Sequence, residues 1–298
     1  MRHTYTEDRL VEQPAVSLFS RLGWKTLSAM EETFGAGGTL GRETKGEAVL
    51  TERLRAALCK FNPSLPSAAI NNAVDELTRD RSAMSLEAAN REVYALLKNG
   101  IAVSVPDYEQ GGQKTERLRV VDWREPQNNN FLLVSQFSVT GALYTCRPDL
   151  VGFVNGLPWA VIELKKPGVP ARAAFDENLT HYKQQIPNLF WFNALMIASN
   201  GTDSRVGSFT ADWGRWVEWK RIEREDEARR VSLEVMLRGT CEPVRLLDLV
   251  ENFTLFSEHK AGLVKVLGQN HQVLGVNNAI ASMLEARKLG HGRGGVFW

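Results

Sequence analysis

The order of strand-like and helix-like segments predicts an α/β protein built on a mixed sheet flanked by helices. Residues 101–105, 117–123 and 131–140 form short β-like runs, and two more runs joined by a tight turn follow between 150 and 165. A helical pattern at 173–185 and an apolar run at 194–198 come next. Strands followed by a helix and a further buried strand are typical of an α/β sheet.

The segment before the predicted sheet is helical. An apolar stripe from Leu10 to Leu22 predicts an opening helix over 7–22, which Gly23 ends. Three further helical patterns lie near 46–60, 67–79 and 86–98, and they predict an all-helical insertion within 35–98. We assign residues 1–240 to a first domain that contains this insertion, and residues 241–298 to a second unit.

Composition limits the class of protein without deciding it. The 298 residues are 43% hydrophobic and 24% charged, as in an ordinary globular protein with a sizeable core. The three cysteines lack metal-site spacing, and no apolar run is long enough to span a membrane, so we expect a reduced, cytoplasmic protein with no membrane partner. The net charge of +1 gives no bulk electrostatic attraction to nucleic acid, so a DNA surface would need local basic patches.

The strands between 147 and 167 carry the candidate catalytic residues. Alternation along a strand places Glu163 and Lys165 on one face, with Ile162 and Leu164 on the other. Mg²⁺ prefers oxygen ligands, which the Asp149 and Glu163 carboxylates would supply, with the Leu164 carbonyl as a third. Lys165 would orient an attacking water or stabilise transition-state charge, so the set indicates a metal-dependent nuclease. Taken alone, the same strand also fits an amphipathic edge strand.

The turn between the two strands sets a geometric condition on this site. A two-residue turn at Asn155-Gly156 pairs residue 154 with 157 and residue 149 with 162, which places Asp149 on the wrong face. A three-residue connection or a β-bulge brings Asp149 opposite Glu163. The site therefore requires an irregularity in the hairpin.

The segment RPDLVGFVNGLPWAVIELKKP (147–167) closely resembles the nuclease core of the restriction (motor-nuclease) subunit of type I restriction enzymes. The resemblance continues in order through HYKQQIPNLF (181–190), IASNGT (197–202), Val206-Gly207 and LLDLVENF (246–253). It covers residues 115–298 and, more weakly, the opening helix, whereas the resemblance does not place the segment 35–98.

The resemblance implies a PD-(D/E)xK fold in which Asp149, Glu163 and Lys165 match the catalytic motif. An acidic residue on the opening helix completes such sites, and Glu12 is the best-placed match, with Glu7 second. The family also carries a Q-x-x-x-Y motif after the core. Tyr182 matches it, but Asn178 stands at the glutamine position with a side chain one methylene shorter.

The C-terminal segment resembles the approach to an ATP-driven RecA-like motor. The glycine-rich residues 290–295 lead into Val296, Phe297 and Trp298, where the family continues into a phosphate-binding loop. No G-x-x-x-x-G-K-[ST] sequence occurs, so we expect a fragment without ATPase activity, truncated before that loop and ending in an exposed apolar edge. Gln272 resembles a glutamine associated with adenine recognition in the family, and a polar helix cap is an equal alternative.

The resemblance predicts Mg²⁺-dependent cleavage of duplex DNA within a complex with modification (methyltransferase) and specificity subunits. ATP would serve only the complete subunit. Phosphate contacts by Lys166, Arg172 and Lys183 would make the cut insensitive to sequence. The alternative is a catalytically inactive module of the same fold that docks on the modification complex.

Overall fold

The computed structural model describes residues 8–35, 37–107, 111–224, 226–260 and 262–290. Its helices are α1 (Gln13–Arg21, preceded by a π-helical turn at Asp8–Glu12), α2 (Thr51–Phe61), α3 (Ser67–Thr78), α4 (Leu86–Asn99), α5 (Ala171–Ala173), α6 (Thr180–Gln185, joined to α5 by the π-helical segment Ala174–Leu179), α7 (Pro187–Phe190), α8 (Ser232–Thr240), α9 (Pro243–Asn252) and α10 (Asn270–Leu289).

The strands are β1 (Lys25–Ser28), β2 (Ile101–Pro106), β3 (Gln113–Leu118), β4 (Phe131–Ser135), β5 (Val139–Thr140), β6 (Thr145–Cys146), β7 (Leu150–Val154), β8 (Leu157–Leu164), β9 (Leu195–Ser199), β10 (Ser204–Gly207), β11 (Thr254–His259) and β12 (Gly262–Leu267).

A six-stranded mixed sheet with the order β1-β4-β7-β8-β9-β10 forms the centre of the fold. Strands β4, β7 and β8 form an antiparallel meander. Strand β1 runs parallel to β4, β9 runs parallel to β8, and β10 returns antiparallel to β9. The predicted mixed α/β sheet flanked by helices is therefore confirmed.

The two faces of this sheet pack against different parts of the chain. The first face joins helices α1–α4, α8 and α9, and its sheet residues include Leu133, Leu150, Ile162 and Ile197. The second face joins the 171–190 helical segment and parts of the 29–50 loop, and its sheet residues include Leu132, Val151, Val161 and Met196. Because both faces are buried, β4, β7, β8 and β9 are buried along their whole length.

A two-residue turn connects β7 to β8. Val154 pairs with Leu157, and the two turn residues Asn155 and Gly156 have φ angles of 52° and 82°. Positive φ at both central positions matches the twist of antiparallel strands, which explains the Asn-Gly sequence. The three-residue loop, which was one of the two connections compatible with the site, is not present.

A β-bulge in β8 supplies the irregularity instead. Phe153 pairs with Pro158 and Gly152 pairs with Ala160, so Trp159 has no partner in β7. The Trp159 carbonyl instead accepts a hydrogen bond from the Ala194 amide at 2.7 Å. Beyond the bulge, each side chain of β8 projects from the face opposite to the one it would occupy in a regular hairpin. With a two-residue Asn-Gly turn, this shift is what brings Asp149 opposite Glu163.

The opening helix and the helical patterns near 67–79 and 86–98 are confirmed, and the pattern near 46–60 begins later, at Thr51. No sequence pattern indicated β1, which is four residues long and largely exposed. The predicted strand over 131–140 is confirmed at Phe131–Ser135 and Val139–Thr140, but it is interrupted at Gln136, whose φ is 58°. The strand expected at 117–123 lies earlier, as β3.

Residues 241–290 form α9, the β11–β12 hairpin and α10. The predicted apolar edge at Val296, Phe297 and Trp298 lies outside the described residues. None of the helices in the described ranges is both long and apolar enough to cross a membrane.

A buried lysine attaches the β11–β12 hairpin to the rest of the fold. Lys265 is 3% exposed, and its ammonium group donates to Asn90 Oδ1 at 3.1 Å and to the Asn193 carbonyl at 2.5 Å. The Phe209 and Phe256 rings lie within 5.8 Å of its Nζ atom. Burial lowers the pKa of Lys265 to about 7.

This pKa predicts a pH-dependent stability. An unfolded lysine has a pKa of ~10.4, so between about 7 and that value the unfolded chain binds more protons than the folded chain. The free energy of unfolding should therefore rise with pH in this window, by at most ~1.4 kcal/mol per pH unit. Urea unfolding of the wild type and Lys265→Met, with the exposed-site control Lys288→Met, measures the difference. An identical slope in wild type and Lys265→Met would contradict it.

Candidate active site

The bulge brings Asp149 and Glu163 together at one end of the sheet. Leu150 pairs with Ile162, so Asp149, which directly precedes β7, lies opposite Glu163 in β8. The Asp149 amide donates to Glu163 Oε2 at 3.4 Å, and the Leu164 amide donates to Asp149 Oδ2 at 2.8 Å. Each acidic residue is thus held by the backbone of the strand that carries the other.

Glu163 and Lys165 project toward the second face, where the helical segment 171–190 covers them. The Tyr182 hydroxyl donates to Glu163 Oε1 at 3.3 Å, and Asn178 Nδ2 donates to that hydroxyl at 3.3 Å. Lys165 Nζ donates to Asn178 Oδ1 at 2.7 Å and lies 3.3 Å from the carboxylate of Glu177. A continuous chain of hydrogen bonds therefore runs from Lys165 to Glu163.

The Asn178 side chain, although one methylene shorter than the glutamine of the Q-x-x-x-Y pattern, is long enough to complete this series of hydrogen bonds. Asn178 lies in the π-helical segment Ala174–Leu179 and Tyr182 lies one turn later in α6. From there the Asn178 side chain reaches both Lys165 and Tyr182. The sequence difference from the Q-x-x-x-Y pattern thus leaves a bonded amide in place.

Burial strongly perturbs the ionisation of Glu163. Glu163 is 4% exposed, and its burial, with the nearby Asp149 charge second, raises the pKa of its carboxyl well above the usual range. Burial and the Glu163 charge likewise raise the pKa of Tyr182. The tyrosine consequently remains a hydroxyl donor toward Glu163 at all physiological pH values.

The donor set fits a hard divalent cation. Two carboxylates and the backbone of one strand end provide oxygen ligands, and Mg²⁺ needs only one or two carboxylates because it keeps several waters. Burial disfavours the ionised form of Glu163, and a nearby cation would favour that form again. Within the described ranges, no group of three Asp, Glu, His or Cys side chains is placed to hold a metal ion.

Glu12, the candidate on the opening helix, contacts Gln136. The residue is 8% exposed, and its carboxylate accepts a hydrogen bond from Gln136 Nε2 at 3.0 Å. The backbone amide of Gln136 in turn donates to the Asp149 carbonyl at 2.8 Å. The sequence does not mark Gln136 as a functional residue, because its only signal is a polar residue inside an apolar run. Glu7, the second candidate, lies outside the described residues.

The three lysine and arginine side chains expected to contact DNA differ in their surroundings. Lys166 and Arg172 are exposed beyond the end of β8, and Arg172 Nε donates to Asp176 at 3.0 Å. Lys183 instead donates to the Phe209 carbonyl at 2.9 Å and lies 5.7 Å from the centre of the Phe175 ring. Burial lowers the pKa of Lys183. This placement does not favour a phosphate contact by Lys183.

Gln272 caps a helix. Its Oε1 atom accepts from the Gln269 amide at 2.8 Å, and the two glutamines form a reciprocal capping box at the start of α10. The helix cap is one of the two alternatives for Gln272, and its side-chain oxygen is engaged in that cap.

Comparison with known proteins identifies the family. The family described as "Type I restriction enzyme R protein N terminus" matches residues 4–215, which contain both acidic residues, Lys165, Asn178 and Tyr182. The endonuclease subunit of the type I restriction enzyme HindI from Haemophilus influenzae is 35% identical over 97% of this chain and 28% of its own length.

Two further similar proteins are also endonuclease subunits of type I restriction enzymes. A putative type I restriction enzyme MjaIXP endonuclease subunit from Methanocaldococcus jannaschii is 26% identical over 98% of this chain and 30% of its own length. The EcoprrI endonuclease subunit from Escherichia coli is 33% identical over 54% of this chain and 52% of its own length. The chain spans less than a third of the length of the first two relatives.

These matches place the chain among the proteins of type I restriction enzymes. More specifically, the chain belongs to the family of type I restriction enzyme R protein N termini. The family that the sequence motifs resemble is confirmed, and the match also includes residues 35–98, which those motifs did not place.

The hydrogen bond from Tyr182 predicts an effect on metal affinity. Tyr182→Phe removes the hydroxyl donor from Glu163 Oε1, so its carboxylate becomes harder to ionise. We expect Mg²⁺ or Mn²⁺ affinity to fall about 10-fold, as for other residues that orient a ligand. Titration calorimetry measures the affinity, with Tyr144→Phe at an exposed position as the control. Equal affinities of Tyr182→Phe and wild type would exclude this role.

Proposed function

We propose that the chain is a Mg²⁺-dependent nuclease that cleaves duplex DNA, as the nuclease part of a type I restriction enzyme R subunit. Asp149 and Glu163 are the proposed metal ligands and Lys165 is the proposed catalytic lysine of a PD-(D/E)xK site. The proposal includes residues 1–240 as the nuclease domain, with 35–98 as a helical insertion. Residues 241–298 would lead toward the motor of the family.

One observation carries this proposal, the register change at Trp159. The D…E-x-K pattern also occurs in ordinary amphipathic strands, where the two acidic residues need not meet. Here the bulge places both carboxylates at one strand end, and a hydrogen-bond chain joins the lysine to the glutamate. Bulges are frequent next to active sites, where they redirect a side chain.

The residues have separable roles in phosphodiester hydrolysis. A bound Mg²⁺ would polarise the phosphate and lower the pKa of a coordinated water. Asp149 and Glu163 would hold the cation, while Tyr182 fixes the orientation of the Glu163 carboxylate. The reaction forms a bond from the water oxygen to phosphorus and breaks the bond from phosphorus to the leaving oxygen, which takes up a proton.

Lys165 is placed to act on the charge that develops during this reaction. Its ammonium group is held by Asn178 and Glu177 beside the acidic pair. From this position it would orient the water or stabilise the additional negative charge on the phosphate. The bond to Asn178 limits the rotation of the long lysine side chain, which reduces the entropy lost on reaching the transition state.

Substrate contacts in this proposal go to phosphates. Lys166 and Arg172 flank the strand end that carries Lys165 and are exposed. Phosphate contacts position a duplex without reading its sequence, so base recognition would belong to a specificity subunit, which acts with a modification subunit. The sequence contains no G-x-x-x-x-G-K-[ST], so ATP hydrolysis is not part of the activity proposed for this chain.

Substitution of the catalytic residues tests the proposal. Lys165→Ala and Asp149→Ala should each lower Mg²⁺-dependent nicking of supercoiled plasmid by about 100-fold or more, because each removes a charge that stabilises the transition state. Lys288→Ala, at an exposed position on α10, is the matched control and should cut as wild type does. Absence of Mg²⁺-dependent nicking by the wild type, under conditions in which it binds DNA, would contradict the proposal and favour the inactive docking module.

The proposed phosphate contacts make a prediction about salt. Removal of one such contact should reduce the slope of log K against log salt by about 0.9 for duplex DNA. Lys166→Ala and Arg172→Ala should show this reduction for several unrelated duplexes, whereas Lys183→Ala, whose ammonium group donates to Phe209, should not. Fluorescence anisotropy between about 50 and 200 mM salt measures the slopes. A strong preference for one duplex that persists at high salt would contradict sequence-independent binding.

A further inference from the structure

Gln136 has an unusual backbone conformation at the active-site end of β4. Among the described residues, only Gln136 and Asn155 are non-glycine residues with positive φ, at 58° and 52°. The Asn-Gly turn explains Asn155, whereas Gln136 lies in no hairpin turn of the central sheet. The left-handed region is unfavourable for a residue that carries a Cβ atom. Strain of this kind persists where the surrounding structure enforces it, and it concentrates at functional sites.

The hydrogen bonds of Gln136 show what the conformation achieves. Ser135 and Leu150 are the last paired residues of β4 and β7. The Gln136 amide then extends the ladder by one bond, to the carbonyl of Asp149 at 2.8 Å. This bond fixes the backbone of Asp149 at the point where β7 begins.

The side chain of Gln136 turns away from the direction that the strand would give it. Leu132 and Val134 lie on the second face, so an extended residue 136 would project there as well. The opening helix packs on the first face, through residues such as Ala15 and Phe19. Because the chain turns at Gln136, its Nε2 atom reaches Glu12 Oε2 at 3.0 Å, at the start of that helix.

Glu12 therefore approaches the site without joining a metal cluster. It is buried, and the described residues hold no set of three acidic or other ligand side chains around a common point. One residue, Gln136, contacts both Glu12 through its side chain and Asp149 through its backbone. The buried carboxyl group of Glu12 is thereby fixed relative to the strand end that carries Asp149.

We propose that Gln136 is a positioning residue of the nuclease site, through which Glu12 on the opening helix orients Asp149. This inference rests on the proposed function. Glu12 acts in it as a charge held outside the ligand set, and Gln136 holds the helix and the sheet in one geometry. Residues that orient a ligand without touching the metal typically change metal affinity or activity by about 10- to 100-fold.

Gln136→Gly is the most selective substitution. Glycine adopts positive φ without strain and retains the amide that donates to Asp149, so the substitution removes only the bond to Glu12. We expect the affinity for Mn²⁺, measured by titration calorimetry, and kcat for plasmid nicking to fall about 10- to 100-fold. KM for DNA and the melting temperature should remain close to those of wild type.

Asn155→Gly is the matched control. Asn155 is the other non-glycine residue with positive φ, at the opposite end of β7, and its side chain bonds to Asn130, Val120 and Asn129. This variant should lose thermal stability but retain Mn²⁺ affinity. A merely structural role of Gln136 would reproduce that result, with a lower melting temperature and unchanged Mn²⁺ affinity, and would overturn the proposal.

A double-mutant cycle tests whether Glu12 acts through Gln136. If so, Glu12→Ala and Gln136→Gly should each weaken Mn²⁺ binding, and the double variant should be no weaker than Glu12→Ala alone. Fully additive losses would refute the coupling. The Lys165→Ala comparison decides the nuclease activity separately, because Mn²⁺ affinity reports on Gln136 even in a chain that does not cut DNA.

Discussion

The extra residue in β8, Trp159, determines the face of the sheet on which Glu163 lies. Side chains alternate with a period of two, so β8 without the bulge would send Glu163 to the first face, among the helices α1–α4. With it, Glu163 lies on the second face with Tyr182 and opposite Asp149. The Trp159 carbonyl accepts from the Ala194 and Asn193 nitrogens, so the segment before β9 holds the bulge in place.

The burial of Glu163 is the main energetic cost of this arrangement. An ionised carboxylate transferred from water into a protein loses several kcal/mol even after relaxation, and the Asp149 charge adds repulsion. Hydrogen bonds to a charged group each return about 1.5–3 kcal/mol, and Tyr182 and the Asp149 amide donate two. These bonds compensate only in part, and a bound cation would supply the remainder. Under the proposed function, the site would therefore favour a bound cation.

The helical segment over the second face has two functions in the structure. Its apolar residues, such as Phe175 and Leu179, complete the core, while Asn178 and Tyr182 one turn apart hold Lys165 and Glu163.

Lysine side chains likewise differ in whether they lie at the candidate site or in the core. Lys165 serves the site, whereas Lys265 is buried between β12 and α4 and holds the C-terminal hairpin. Residue type alone does not separate these roles.

The sequence by itself determined the α/β class, most helices and the acidic pair with its lysine, because these depend on local patterns of hydrophobicity, turn residues and motif spacing. It also set the condition that the β7–β8 hairpin must be irregular. Only the tertiary structure decided where the irregularity lies, which acidic residues meet and that Gln136 interrupts the 131–140 run. These features depend on contacts between segments distant in sequence: Trp159 with Ala194, and Gln136 with Glu12 and Asp149. A local pattern carries no information about such partners, so the position of the bulge and the face on which Glu163 lies depend on packing.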